Sequence, residues 1–196
     1  DVLAGDLREA PKEGLLLPET YRVPRGMSRS DLIRKMQDDQ RRLVDQIWAK
    51  RDPSIPLRTP HELVTLASIV EKETGLSSDR RMIASVFHNR LRLQMPLQTD
   101  PTVIYGMGES FDGNLRRVDL QTDHPWNTYM HKGLPPTPIA MPGKAALEAT
   151  LHPATSKALY FVARGDGSSQ FSDTLAQHNQ AVDQYQRRLS TKRQAQ

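Results

Sequence analysis

One segment, between Thr59 and Gly75, constrains the fold of this chain most, because it holds a start and a stop signal for a single helix. Thr59 can serve as the N-cap, Pro60 suits the first helical position, and Glu62 stands where a capping box places its acid. Gly75 is a common C-terminal stop. These signals predict one helix between the two ends.

The apolar residues of this helix recur on one face, namely Leu63, Leu66, Ala67, Val70 and Thr74. Successive residues are separated by about 100° around a helix. Glu73 therefore falls near the line of Leu66 and Ile69, whereas Glu71 falls roughly a quarter-turn from the centre of the face. Lys72 falls on the opposite side.

A glutamic acid held against apolar surface tends to keep its proton, because burial disfavours the charged form. A protonated carboxyl group can donate that proton to a leaving oxygen, as cleavage of a glycosidic bond requires. The pattern thus makes Glu73 the first candidate for a catalytic acid and Glu71 the second. The alternative is that both are solvated residues of the last turn, the usual fate of helical glutamates.

The composition indicates a globular domain and excludes several kinds of site. The chain has 196 residues, 37% hydrophobic and 26% charged, which suits one domain with a moderate core. It has no cysteine, so disulfides and thiolate metal sites are excluded, and its six histidines lack zinc-ligand spacing. The formal net charge is +4, but the basic pairs are scattered among acidic residues, which favours solvated surface over a nucleic-acid site.

The rest of the chain predicts further helices and a small sheet. Extended segments are expected at 15–23, 102–105 and 159–163, with a turn at 165–167. Helices are expected at about 28–50, 77–95, 144–151 and 174–192, and a long irregular stretch at 123–143. The predicted fold class is α+β, with several helices around Glu73 and a small, mostly antiparallel sheet.

Two polar clusters could hold a sugar beside this acid. Gln98, Thr99 and Asp100 offer donors and acceptors in one short run that leads to Tyr105. In the second cluster, Trp126 and Tyr129 could stack on sugar faces, and Asn127 could bind an acetamido group. Turn formation and ordinary packing are the alternatives for both clusters.

Several longer motifs closely resemble the endolytic murein transglycosylases of the YceG-like family. They are Leu66-Ala-Ser-Ile-Val-Glu-Lys-Glu-Thr74, Leu97-Gln-Thr-Asp-Pro-Thr-Val-Ile-Tyr-Gly-Met-Gly108, Asn127-Thr-Tyr129, Gly133-Leu-Pro-Pro136 and Tyr160-Phe-Val162. The resemblance implies a lysozyme-like catalytic core over residues 1–196, with Glu73 as the catalytic residue. It also implies a membrane anchor and a LysM-like module outside these residues, and a location on the periplasmic face of the inner membrane.

The activity implied by the resemblance is cleavage of the MurNAc–GlcNAc bond in nascent peptidoglycan without water, leaving 1,6-anhydro ends. Glycan strands would be the partner, with peptidoglycan synthases as possible neighbours, and no metal, cofactor or nucleic acid is expected. Substrate contacts are expected from Gln98, Thr99, Asp100, Tyr105, Asn127 and Tyr129. Two alternatives remain: a hydrolytic muramidase in which Asp100 or Glu19 activates water, and a non-enzymatic wall-binding regulator.

Overall fold

A computed structural model of the chain describes residues 9–187. Its α-helices are α1 (Arg29–Trp48), α2 (Pro60–Glu73), α3 (Ser77–Arg92), α4 (Asp100–Met107), α5 (Arg117–Gln121), α6 (Lys144–Leu151) and α7 (Leu175–Val182). Short 3-10 and π-helical turns follow α4 and α7, at Gly108–Ser110 and Asp183–Arg187. The strands are β1 (Tyr160–Ala163) and β2 (Ser169–Ser172). The expectation of an α+β fold is therefore confirmed.

Helix α2 begins and ends where its sequence signals predict. The Thr59 side chain accepts a hydrogen bond from the Glu62 N–H at 3.2 Å, with Pro60 in the first turn. The predicted capping box is only half formed, because the Glu62 carboxylate accepts from the N–H of Arg58 instead of that of Thr59. The helix gives way to extended backbone at Thr74, one residue before the predicted glycine.

Helix α2 lies at the centre of the core and packs against α1, α3, α4 and α6. Its residues from Leu63 to Val70 are almost all buried, so the helix is enclosed on more than the one predicted face. Ile83 and Phe87 of α3 and Leu147 of α6 belong to the same apolar cluster. Burial on several sides fixes the axis of α2, and with it the position of Glu73 at its last turn.

The strand predicted at 102–105 is wrong, because this segment forms helix α4. The β-branched run from Thr102 favours a strand by propensity. The segment nevertheless starts with Asp100 and Pro101, residues suited to a first helical turn, and buries Val103 in the core. Tertiary packing against α2 decides the outcome.

The sheet of the described residues is one antiparallel hairpin that pairs Tyr160 with Ser172 and Ala163 with Ser169. The predicted turn lies between the strands, and Gly165 and Gly167 both have positive φ there. The segment 15–23 has no helical or strand hydrogen-bonding pattern and does not join the sheet. The predicted C-terminal helix begins as α7 and continues without a break into the π-helical turn Asp183–Arg187, and its predicted end lies outside the described residues.

Within residues 9–187, none of the helices combines the length and the apolar character needed to cross a bilayer.

Candidate active site

Glu73 lies at the wall of a groove with a volume of about 360 Å³. The groove is built from the end of α2, the start of α4, β1 and α7. Its lining residues are Glu73, Arg90, Leu97, Gln98, Asp100, Tyr129, Tyr160, Phe161, Leu175 and His178. Glu73 thus faces a space that a ligand can enter, as a catalytic acid must.

The surroundings of Glu73 favour its neutral form. Burial is the main cause and raises the pKa of the carboxyl group to about 7, from a usual 4.5. A hydrogen bond from Thr99 acts in the opposite direction, and the negative charge of Asp100 adds to the increase. A substantial fraction of Glu73 is therefore protonated near neutral pH, and the carboxyl group can act as an acid.

Thr99 is the closest polar partner of Glu73, because its hydroxyl group donates a hydrogen bond to Glu73 Oε1. Thr99 is buried, and its own N–H donates to Thr128 Oγ1 at 3.1 Å. The Thr102 hydroxyl group lies 2.8 Å from Thr128 Oγ1 and donates to the Thr99 carbonyl at 2.8 Å. This network of three threonines holds the Thr99 hydroxyl group at the catalytic acid.

A second carboxylate, that of Asp100, lies in the same groove and is more exposed than Glu73. The Tyr129 hydroxyl group donates to Asp100 Oδ1 at 2.5 Å. Burial and this bond raise the pKa of Tyr129 well above its usual value, so the phenol remains a donor. The groove therefore holds two carboxyl groups, those of Glu73 and Asp100, and two phenols, those of Tyr129 and Tyr160.

Gln98 is exposed at the groove and has an unusual backbone, with φ of +50°. Its Oε1 accepts a hydrogen bond from Arg90 Nη1 at 3.2 Å. Arg90 was not predicted as a site residue, although it falls among the apolar positions of α3 in the sequence. A long cation on an otherwise apolar face is the signal that could have identified it.

Asn127 and Tyr105 are not brought into the groove. Asn127 is fully buried, and its amide nitrogen donates to the carbonyls of Leu120 and Thr122 at 3.1 and 2.7 Å. Its Oδ1 accepts from the N–H of Tyr129 at 2.9 Å, so it orients the segment that carries Tyr129. Tyr105 packs against the ring of Trp126, 5.7 Å away, in a separate cleft of about 780 Å³.

The other two carboxylates considered from the sequence do not line the groove. Glu71 accepts a hydrogen bond from the N–H of Gly143 at 3.0 Å and so ties α2 to the start of α6. Glu19 lies exposed in the segment that precedes α1. Of the predicted residues, the structure brings together Glu73, Gln98, Thr99, Asp100 and Tyr129.

His178 has a position on the apolar stripe of α7 that is typical of a core or edge residue, yet it lines the groove. Its ring stacks on Tyr160 with a centroid distance of 5.2 Å. Burial, with the nearby charge of Arg90, lowers the pKa of His178 and favours the neutral ring. The helical spacing of α7 alone could not reveal that the groove lies beside this face.

Side chains that could ligate a metal do not cluster in the part of the chain that the structure covers. Residues 9–187 contain no cluster of three or more histidine, aspartate or glutamate side chains placed to hold an ion.

Comparison with known proteins agrees with this fold. A sequence model of the YceG-like family matches residues 3–184. An endolytic murein transglycosylase of Bacillus subtilis (strain 168) is 42% identical over 176 residues, which cover 89% of this chain and 48% of that protein. The protein of the same name in Streptococcus pneumoniae serotype 2 (strain D39) is 32% identical, over 88% of this chain and 32% of its own length.

A crystal structure of a YceG-like protein from Listeria monocytogenes shares the fold, with a TM-score of 0.70 and 39% identity. The match covers 85% of this chain and 54% of that one. An α+β protein with a lone protonatable glutamate in a groove is the class that these observations define. The chain belongs to the YceG-like family, and it spans about half or less of the length of the relatives named here.

Proposed function

We propose that this chain is the catalytic part of an endolytic peptidoglycan lytic transglycosylase. The observation that carries the proposal is the raised pKa of Glu73, about 7, at the wall of an open groove. The names of the relatives from Bacillus and Streptococcus support the same activity. The bond cleaved would be the glycosidic bond between MurNAc and GlcNAc.

In the first step Glu73 would donate its proton to the glycosidic oxygen as the bond from C1 breaks. Thr99 donates to Oε1 of Glu73, which leaves Oε2 as the oxygen that carries the proton. The GlcNAc residue would leave with that proton on its new 4-hydroxyl group. Glu73 would then be a carboxylate at the moment when positive charge develops on the muramic acid ring.

In the second step the 6-hydroxyl group of the same muramic acid would attack C1 and close the 1,6-anhydro ring. Its proton would return to Glu73, which restores the starting enzyme. No water is consumed, so the products have the same total mass as the substrate. Because the nucleophile belongs to the substrate, correct positioning can supply much of the rate.

The sugar would be held by the polar side chains around the acid. Gln98, Asp100 and Tyr129 line the groove and offer an amide, a carboxylate and a phenol to sugar hydroxyl and acetamido groups. Thr99 and Asn127 would act through their neighbours, Glu73 and Tyr129. Tyr105, at the far end of α4, would meet a strand only where it continues past the groove.

Hydrolysis is the second candidate reaction, because Asp100 shares the groove with Glu73 and could activate a water molecule. One oxygen of Asp100 is occupied by the Tyr129 hydroxyl group, which leaves the other to act as a base. Hydrolysis adds one water to each cleaved bond, whereas ring closure adds none. The two reactions therefore give products of different mass.

The deciding experiment is digestion of uncrosslinked glycan strands, followed by mass spectrometry of the products. Anhydro-muramic acid ends that disappear in Glu73→Gln would support the proposal. Hydrated reducing ends would favour the muramidase, and strands that bind without being cut would favour a wall-binding regulator. Glu71→Gln is the matched control, since it changes a carboxylate of the same helix that does not line the groove.

A peptidoglycan substrate lies outside the cytoplasm, and this supports a further proposal about location. The chain would work at the periplasmic face of the inner membrane, near the synthases that extend new strands. Fractionation of cells that express the complete protein would test the location, and crosslinking to synthases would test the partners.

A further inference from the structure

The residue directly before Thr99 has a backbone conformation that its neighbours must stabilise. Gln98 has φ of +50°, in the left-handed region that side chains other than glycine rarely adopt. Its N–H donates to the Thr128 carbonyl at 3.0 Å, which holds the turn from one side. The turn matters because the next residue, Thr99, places its hydroxyl group on Glu73.

Arg90 holds the same turn from the other side. Its Nη1 donates to the carbonyls of Pro96 and Leu97 at 3.1 and 2.9 Å and to Gln98 Oε1 at 3.2 Å. Its Nε donates to the Leu159 carbonyl at 2.7 Å, just before β1. The side chain is 7% exposed, so its contacts are sheltered from water.

The guanidinium group therefore links α3 to the segment 96–98 and to the start of the sheet. It also lies 5.2 Å from the centre of the Tyr160 ring, on the wall of the groove. Its hydrogen bonds to the segment 96–98 and to Leu159 do not involve Glu73, so its effect on the acid passes through Thr99. The guanidinium group reaches the segment 96–98 with Nη1 and Leu159 with Nε, and a lysine ammonium, with one nitrogen, cannot bridge both sides in this fixed geometry.

We propose that Arg90 is a positioning residue for the reaction: it holds the turn at Gln98 so that the Thr99 hydroxyl group stays on Glu73 Oε1. This inference rests on the proposed function, because it concerns the placement of the catalytic proton. Loss of the hydrogen bonds of Arg90 should therefore change the pKa of Glu73. Loss of an arginine that only stabilises the fold would leave this pKa unchanged.

The test compares Arg90→Lys, Thr99→Val and the double variant. Lysine keeps the positive charge but lacks the planar fork, so a changed titration of Glu73 reports geometry rather than lost charge. The charged and titratable groups that face Glu73 in the groove are Arg90, Asp100, Tyr129, Tyr160 and His178, and Arg90→Lys leaves all their formal charges unchanged.

The readout is the pKa of Glu73, followed by NMR of its labelled carboxyl carbon, together with kcat and KM on glycan strands. Loss of the Thr99 bond should raise the pKa of Glu73 in both single variants, because that bond favours the ionised form. The kcat of Arg90→Lys should fall on the order of 10- to 100-fold, as displaced catalytic groups do, with KM changed less. In the Thr99→Val background, Arg90→Lys should add no further change in this pKa.

Asn89→Ala is the matched control for lost stability. Asn89 precedes Arg90 on α3, and its amide nitrogen donates to the carbonyls of Ser156 and Ala158, both at 3.0 Å. Its removal should lower the melting temperature without moving the pKa of Glu73. An unchanged pKa in Arg90→Lys, or additive changes in the double variant, would overturn the inference.

If Arg90→Lys does not fold, Gln98→Gly gives a second test, because glycine adopts positive φ without steric strain. In that background Arg90→Lys should fold and should raise the pKa of Glu73 less than Thr99→Val raises it in the native sequence. A rise as large as that of Thr99→Val would contradict the inference. The pKa readout needs no substrate, so failure of the wild type to cut glycan would count against the proposed function alone.

Discussion

Replacement of Glu73 by glutamine should stabilise the folded chain while abolishing its activity. Burial raises the pKa of Glu73 from 4.5 to about 7, and the side chain is neutral in the variant at every pH. A shift of this size corresponds to about 3 kcal/mol between the two protonation states. The ionised wild type above pH 7 should be less stable than the variant by up to this amount.

The stability difference between Glu73→Gln and the wild type should depend on pH, because the pKa of Glu73 is higher in the folded chain than in the unfolded chain. Below the usual pKa of 4.5, the carboxyl group is protonated in both the folded and the unfolded chain, so the two proteins should unfold alike. Between 4.5 and about 7 the unfolded carboxyl group ionises first, and the wild type loses stability as the pH rises. Above the folded pKa the difference should be constant.

Thermal unfolding of both proteins, from pH 4 to pH 8.5, measures this difference. For a chain of this size each kcal/mol shifts the melting temperature by roughly 2–4 °C, so Glu73→Gln should melt about 6–12 °C higher at alkaline pH. Glu71→Gln should show no such gain, because the carboxylate that it replaces accepts a hydrogen bond from the Gly143 N–H. A Glu73→Gln protein equal to or less stable than the wild type at alkaline pH would refute the burial of the acid.

Three further outcomes follow from the groove and from the residues that support it. The value of kcat/KM on glycan strands should fall as the pH rises through about 7, where Glu73 loses its proton, and a flat profile up to pH 8.5 would exclude Glu73 as the acid. Asp100→Asn should move that decline to lower pH, because the charge of Asp100 raises the pKa of Glu73; a loss of cleavage at all pH values would instead assign Asp100 to the chemistry. Asn127→Ala should lower the free energy of unfolding by about 1–3 kcal/mol in chemical denaturation, because the carbonyls of Leu120 and Thr122 and the N–H of Tyr129 all lose their buried partner. A surface change, Asn114→Ala, is its control, and equal stability of the two variants would contradict the buried role of Asn127.

The parts of the structure that depend on local sequence could be predicted well. The cap at Thr59 and the spacing of apolar residues in α2 are local signals, and they placed Glu73 on the enclosed side of the helix. The hairpin turn at Gly165 and Gly167 is likewise a local signal. These predictions hold because each depends on residues within one or two turns of the chain.

Long-range contacts could not be predicted in this way. Thr99 is 26 residues from Glu73, and no periodicity relates a hydroxyl group in one segment to a carboxyl group in another. The strand expected at 102–105 failed for the same reason, since packing against α2 overrides the propensity of β-branched residues. Asn127 has a polar side chain in an irregular loop, and only the fold reveals that it turns inward to bind carbonyl groups.

Direct titration of the Glu73 carboxyl carbon by NMR shows whether this acid holds its proton near neutral pH. Comparison with Glu73→Gln would assign the signal. A midpoint near pH 7 is expected for this carbon. A midpoint close to 4.5, the usual value for a glutamate, would contradict it.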